Sequence, residues 1–303
     1  MKKNPLSKRM WKTRELYLFL LPTIVFYVVF RYVPIYGVQM AFRDFSPILG
    51  FFRSPWIGLT NFRAFFRGGL WYMLVRNTLV ISATSLVIGF PVPIILALML
   101  HHTDNRKFRK TVQMVTYAPH FISTVVLVGM VYIFFSPSTG VINFMLRYFG
   151  RPPVFFMGRP DMFVPLYVGS GIWQSAGWSA VIYIAALSGV SPELHESAII
   201  DGATKLQRII HIDLPSIMPT IVTMFILAIG NLFSVGFDRV FLMQNELNMY
   251  SSEVISTFIY KRGLLGPNQS FAAAIGLMES TVNMIMLISF NRIAKIVSGI
   301  GLW

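Results

Sequence analysis

Residues 196–215 read ESAIIDGATKLQRIIHIDLP, a polar, amphipathic segment lying between two long apolar runs. It carries Glu196 and Asp201, a glycine at 202 and a closing Leu214-Pro215. Just upstream, Ser191-Pro192-Glu193 is a strong helix start. The hydroxyl can cap free amides, proline is preformed for the first helical position, and the acid meets the positive end of the dipole. A short helix is expected from about Pro192 to Asp201, with Leu194, Ala198 and Ile199 as its apolar stripe and Glu193, Glu196 and Asp201 in water. Gly202 then permits a turn where a side chain would collide, and a second helical stretch runs toward Pro215. A stiff, exposed element of this kind suits docking into a partner's groove. The alternative is a connector lying on the membrane surface, but its polar face offers only Lys205 and Arg208 as cations, fewer than an interfacial helix usually carries.

The surroundings are those of a membrane protein. Of 303 residues, 55% are hydrophobic and 13% charged, against about 25% charged in a soluble domain. The net charge of +14 does not point to nucleic acid, because no soluble domain remains to carry a basic patch once the apolar runs are removed. Cysteine is absent, which excludes disulfides, thiolate metal sites and cysteine nucleophiles. The opening MKKNPLSKRMWKTRE is basic like a signal peptide. The apolar run from Leu16 continues past Val33 without a small-residue cleavage site, so it reads as a retained membrane helix.

A crossing needs roughly 20 apolar residues. Six stretches have that length, at about 16–38, 70–100, 112–135, 163–187, 214–235 and 271–290. The expected fold is therefore all-α and polytopic: six transmembrane helices in a single domain, 16–303, behind a basic segment, 1–15. Pro91 and Pro93 predict a kink in the second span. Fourteen Lys and Arg fall in 1–15, 101–110, 190–212 and 291–303, against ten in the longer segments 41–69, 136–162 and 237–270. The positive-inside rule then places both termini and the polar loop, about 190–212, in the cytoplasm. The outer segment 237–270 is too polar to span; its VISTFIY, residues 254–260, is expected to re-enter or to lie on the surface.

The run Glu196, Ser197, Ala198, then Asp201, Gly202, Ala203, then Ile212, Leu214 and Pro215 resembles the "EAA...G" loop of membrane subunits in binding-protein-dependent ABC importers. Ser197 stands where that family often has alanine. The stretches LFLLPTIVFYVVFRYVPIYGVQMAFRDF, SPWIGLTNFRAFF and IWQSAGWSAVIYIAALSGVSPELHESAIIDGA extend the likeness over nearly the whole chain, toward the oligosaccharide and polysaccharide branch. The resemblance implies that Glu196, Ser197, Ala198, Asp201, Gly202, Ala203, Leu214 and Pro215 belong to a helix and turn that couple to an ATPase. It also implies a prokaryotic cell-membrane permease that pairs with a second, homologous permease. Two ATPase subunits holding ATP and Mg, an external solute-binding protein and an oligosaccharide cargo complete the implied set. A secondary transporter or a membrane enzyme of glycan or lipid chemistry are the competing classes. Ionisable relays with related broken helices would mark the first, and paired acids or a metal cluster near one interface the second.

Neither pattern is visible in the residue order. His101, His102, His120, His195 and His211 have no metal-ligand spacing, and there is no GxxxxGK[ST] loop, so no catalytic residue, metal or cofactor is expected in this chain. Pathway candidates are polar residues inside spans, where charge is costly. Glu279 and Asn283 share a face four residues apart. Ser170, Gln174 and Trp178 recur every four residues and suit a sugar, with an amide for hydroxyls and an indole for stacking. Asn231 is a further candidate, and Arg31 and Arg76 lie toward outer span ends. Each has a structural counterpart: a buried amide can join helices, an indole can pack, and an arginine can snorkel. The outer segments hold ten basic residues against the five acids Asp44, Asp161, Asp238, Glu246 and Glu253. That imbalance predicts an acidic cargo, such as an oligouronate.

Overall fold

The computed structural model describes residues 13–303, so most of the basic segment 1–15 lies outside the described residues. Among the described residues the chain is helical and has no strand beyond one isolated bridge between Arg43 and Trp56. The helices that matter here are α1 (Arg14–Phe42), α2 (Thr60–Arg67), α3 (Trp71–His101), α4 (Arg106–Phe121), α5 (Thr124–Phe134), α6 (Val141–Tyr148), α7 (Pro160–Leu187), α8 (Pro192–Ile200), α9 (Lys205–Ile229), α10 (Phe237–Met243), α11 (Ile255–Ile259) and α12 (Gln269–Ser298).

Four of these, α1, α3, α9 and α12, are long and apolar enough to cross a membrane. The expected span 112–135 is not one straight helix: α4 and α5 meet at a bend of 103°. Ile122 and Ser123 take extended backbone there, and Ser123 Oγ starts α5 by accepting the Val126 amide at 3.4 Å. The expected span 163–187 falls on α7, which is 28 residues long but diluted by Ser170, Gln174, Ser175 and Ser179. The expected span 214–235 begins earlier and ends sooner, since α9 starts at Lys205 inside the polar segment and stops at Ile229.

Prolines shape the rods in a recurring way. The expected kink at Pro91 and Pro93 takes the form of a π-helical turn, Ser85–Gly89, inside a continuous α3. Lacking an N–H, Pro91 and Pro93 leave the carbonyls of Val87 and Gly89 without their usual donors, and both lie in that turn. Further π turns at Val28–Tyr32 and Ile209–Asp213 each contain the residue four before a proline, namely Pro34 and Pro215. A widened turn absorbs the lost hydrogen bond without breaking the helix.

α7 is the hub. One of its faces packs Phe163, Leu166 and Tyr167 against Val128 and Val131 of α5 and Val240 of α10. Further along, Ala180, Tyr183 and Leu187 pack with Ile94, Ala97 and Leu98 of α3 and Ile217 of α9. A Cβ on Gly177 would fall on the Thr116 carbonyl, so α7 and α4 approach backbone to backbone, as small residues allow between membrane helices. A third cluster joins Phe65 of α2, Leu74 of α3, Ile275 of α12, and Ile255 and Phe258 of α11. VISTFIY therefore does not simply lie on the surface: Val254, Ile255 and Thr257 are buried in protein, and Ser256, Ile259 and Tyr260 are half-buried. By contrast α1 is exposed from Arg14 to Tyr36, an apolar surface that requires lipid or another chain to cover it.

Candidate substrate cavity and coupling segment

The polar segment folds as its local signals dictate. Ser191 Oγ accepts the Glu193 amide at 3.3 Å and Pro192 occupies the first helical position of α8. The helix ends in a Schellman motif, with Ala203 N donating to Ala198 O at 2.8 Å and Gly202 N to Ile199 O at 3.1 Å. Gly202 has φ +78°, yet a Cβ there would meet nothing within 4 Å. The expected collision is thus absent, and the glycine is required by its left-handed backbone, not by space. Thr204 and Gln207 then form a reciprocal capping box, with Thr204 N to Gln207 Oε1 at 2.7 Å and Gln207 N to Thr204 Oγ1 at 3.3 Å, and α9 begins.

Among the described residues, nothing covers one side of this segment. Glu196, Ser197 and Asp201 are exposed, and so are Leu194, Ile199 and Ile200, the last at 85%. Ala198, Asp201, Gly202 and Ala203 of the α8 side face Gln207, Arg208 and Ile212 of α9 across a hollow of about 320 Å³. Leu214 is half-buried and Pro215 exposed at the start of the apolar part of α9. Lys205 Nζ bonds Asp104 Oδ2 at 2.9 Å, tying the segment to the turn before α4. That hydrogen bond and the lysine's charge hold the Asp104 carboxyl below the usual range.

A cavity of about 620 Å³ opens between α3, α7 and the start of α10. Gln174, Ser175, Ser179, Tyr167, Tyr183, Asp238 and Arg239 line it. The Arg239 Cζ lies 3.9 Å from the centre of the Tyr167 ring, and its buried Nε has no hydrogen-bond partner. A Cβ on Gly171 would strike the guanidinium, so the glycine is what lets the arginine lie against α7. A second cavity of about 310 Å³ shares Ser85, Phe90, Tyr167 and Arg239 and adds Asn231, which donates its own amide to Leu227 O at 3.0 Å. The residue order marks Arg239 only as one of ten outer basic residues, because its partners Tyr167 and Gly171 lie far off in sequence.

The other pathway candidates separate. Gln174 lines the larger cavity and donates to Ile122 O at 2.8 Å, the carbonyl released at the α4–α5 bend. Ser170 lines a different, apolar cavity, and Trp178 stacks on His120 with ring centres 4.7 Å apart, so the stripe of three does not face one space. Glu279 and Asn283 converge on Ser234: Ser234 Oγ donates to Glu279 Oε1 at 3.3 Å and accepts from Asn283 Nδ2 at 3.0 Å. Asn283 Oδ1 also accepts the Phe233 amide at 3.0 Å, so this pair fastens the turn after α9 to α12. Neither lines the cavity beside Arg239. Arg31 and Arg76 line neither space. Of the five histidines, His101, His102 and His195 gather around the fully buried Asp213, a convergence that chain spacing alone does not reveal.

Comparison with known proteins agrees with this architecture. The chain is 38% identical to protein LplB of Bacillus subtilis (strain 168), covering 94% of this chain and 89% of that one. It is also 38% identical to the polygalacturonan/rhamnogalacturonan transport system permease protein YteP of the same strain, covering 97% and 92%. The fold superposes with a TM-score of 0.90 on a chain of a bacterial ABC transporter involved in the import of the acidic polysaccharide alginate. The two are 38% identical, with 97% of this chain and all of that chain covered. The profile of the binding-protein-dependent transport system inner membrane component family matches residues 89–298, and the chain belongs to that family.

Proposed function

We propose that the chain forms half of the translocation pathway of an ATP-driven importer for acidic oligosaccharides, with the cavity beside Arg239 as a station for the sugar. The observation that carries the reading is the Arg239 guanidinium, stacked on Tyr167 in a cavity also lined by Gln174, Ser175, Ser179 and Asp238. A guanidinium fork recognises carboxylate in a way neutral sugars cannot use, while amide and hydroxyl groups serve the ring hydroxyls. The relatives' cargoes point the same way: polygalacturonan and rhamnogalacturonan for YteP, alginate for the structural neighbour.

In this reading six spans cross the membrane, α4 and α5 together supplying one and α7 another, with both termini in the cytoplasm. The segment 191–204 is the coupling element. Its exposed Leu194, Ile199 and Ile200, rimmed by Glu196 and Asp201, fit the groove of an ATPase subunit that binds ATP and Mg. A second permease, two ATPase subunits and an extracytoplasmic binding protein complete the assembly. Supporting this, another structure of the alginate transporter is of a complex with an alginate pentasaccharide-bound periplasmic protein; its matching chain is 37% identical with a TM-score of 0.90, and 99% of this chain and all of that one are covered.

The test is ATP hydrolysis by the assembled complex in lipid, with its binding protein, against matched oligouronates and their carboxyl-reduced counterparts. Oligouronate should stimulate hydrolysis and the reduced sugar should not. Stimulation by the neutral sugars alone would overturn the acidic cargo while leaving the permease assignment in place.

A further inference from the structure

Four side chains meet where α3, α8 and the base of α9 come together. Asp213 closes the π turn Ile209–Asp213, and its side chain is wholly buried. His102 Nε2 lies 2.6 Å from Asp213 Oδ2, His195 Nε2 lies 3.2 Å from Oδ1 and His101 Nε2 lies 4.0 Å from Oδ1. Only the His102 contact has hydrogen-bond geometry. Asp213 Oδ1 and both ring nitrogens of His195 are buried without a hydrogen-bond partner. A buried carboxylate oxygen and a buried imidazole nitrogen thus face each other unsatisfied, an arrangement that proteins rarely leave without a further group between them.

The geometry points to a divalent transition-metal site of the zinc type, held by His101, His195 and Asp213. Ligand atoms from these three lie within 4.8 Å of one another. Two ligands of one tetrahedral zinc, each bonded at about 2.0–2.2 Å, stand roughly 3.3–3.6 Å apart. The His195 to Asp213 separation is already close to that. His101 needs to close by less than about 1 Å toward Asp213 Oδ1, and it sits at the end of α3 with a side chain 28% exposed. Two imidazole nitrogens and one carboxylate oxygen suit zinc, cobalt or nickel; magnesium and calcium prefer oxygen ligands throughout. His102, fixed on Oδ2, is the outer partner that orients the ligating carboxylate. The exposed edge at His101 leaves the fourth position to water.

Such an ion would bolt three elements together: the end of α3, the polar helix α8 and the foot of α9. The site rests on these residues alone, and its effect on transport would follow only if the segment couples as proposed above.

The test uses the full-length chain, purified in detergent through a tag without histidine and dialysed against metal-free buffer with a weak chelator. Zinc content should be about one equivalent per chain on readdition, Co²⁺ should give the visible bands of a four-coordinate site, and Zn²⁺ should raise the thermal midpoint. His101→Ala and His195→Ala should each weaken zinc binding more than about tenfold and abolish the thermal shift, whereas His211→Ala, whose ring faces Gln207 O at 2.9 Å, should change neither. His101→Ala is the decisive variant, because a partly exposed residue at a helix end can be removed without loss of folding. The proposal is overturned if the wild-type chain binds no zinc under these conditions, or if His101→Ala and His195→Ala bind it as the wild type does.

Discussion

Arg239 lies over Tyr167, Cζ to ring centre 3.9 Å, in a space that exists because residue 171 has no side chain. The stacking holds the guanidinium in the cavity wall, and a held fork suits a carboxylate. Arg239→Gln should therefore cost the interaction with an acidic sugar about 1.5–3 kcal/mol, a loss of roughly tenfold to a hundredfold in transport at limiting substrate. Arg239→Lys should recover little of it, lacking both the fork and the stack. Gly171→Ala should lose a comparable amount by displacing the guanidinium, and the double variant should be no worse than Arg239→Gln alone. Uptake of labelled oligouronate by the four proteins decides this; additive losses would place Gly171 in an unrelated role.

Gly202 should be tested by backbone preference, since its surroundings are open. Valine at φ +78° costs about 1–2 kcal/mol and rearranges the turn that aims α8. Gly202→Val should insert normally yet lose co-purification with the ATPase subunit. Gly202→Asn, which tolerates the left-handed region, should keep most of it. Equal failure of both variants would mean that crowding against the docked partner, and not φ, sets the requirement.

What the residue order makes legible is what depends on neighbours in sequence. Ser191, Pro192, Gly202, Thr204 and Pro215 act within a few residues of themselves, so the shape of the polar segment 191–215 can be read from the chain alone. The bend between α4 and α5 escapes such a reading because apolar composition is continuous across Ile122, and the break rests on backbone angles there. Arg239 and the Asp213 cluster are hidden for another reason: His102 and Asp213 are 111 residues apart, and only packing unites them. Glu279 stands out as an acid inside an apolar run, but its partner Ser234, 45 residues away, does not.

The Lys205–Asp104 contact predicts a flat pH response near neutrality. The Asp104 carboxyl titrates below its ordinary range because Lys205 donates to it. Its contribution is present above the unfolded pKa and is lost only as pH falls through the depressed folded value. Coupling should therefore not change between about pH 6 and 8 through this pair. Lys205→Asp should weaken assembly slightly, and Asp104→Lys in the same chain should restore it. Failure of the swapped pair to recover would show that Lys205 acts through another group.

Gln174 and Trp178 should part company. Gln174→Ala removes the donor to Ile122 O at the bend, costing about 0.5–1.5 kcal/mol for a part-buried hydrogen bond, and also strips an amide from the cavity wall. It should lower both thermal stability and uptake. Trp178 stacks on His120 outside the cavity, so Trp178→Ala should lower stability while uptake per folded complex stays within about twofold, a difference below about 0.5 kcal/mol. A larger fall in uptake at unchanged stability would return Trp178 to the pathway.

Glu279 presents the sharpest choice between cargo and scaffold. A carboxylate on the pathway would oppose an anionic sugar, and its removal as Glu279→Gln should then speed uptake or broaden it to more highly charged cargo. Its placement argues for scaffold: the Ser234 hydroxyl donates to it at 3.3 Å, and a glutamine amide oxygen can accept that bond equally well. Glu279→Gln should therefore leave both uptake and the preference for acidic cargo within about twofold of the wild type. Asn283→Ala, which frees the Phe233 amide and removes the second bond to Ser234, should be the damaging change. It should loosen the turn after α9 and cost about 1–3 kcal/mol of stability, read as a lower thermal midpoint. If Glu279→Gln shifts the saccharide preference while Asn283→Ala is silent, the charge of Glu279 belongs to substrate selection and the scaffold reading fails.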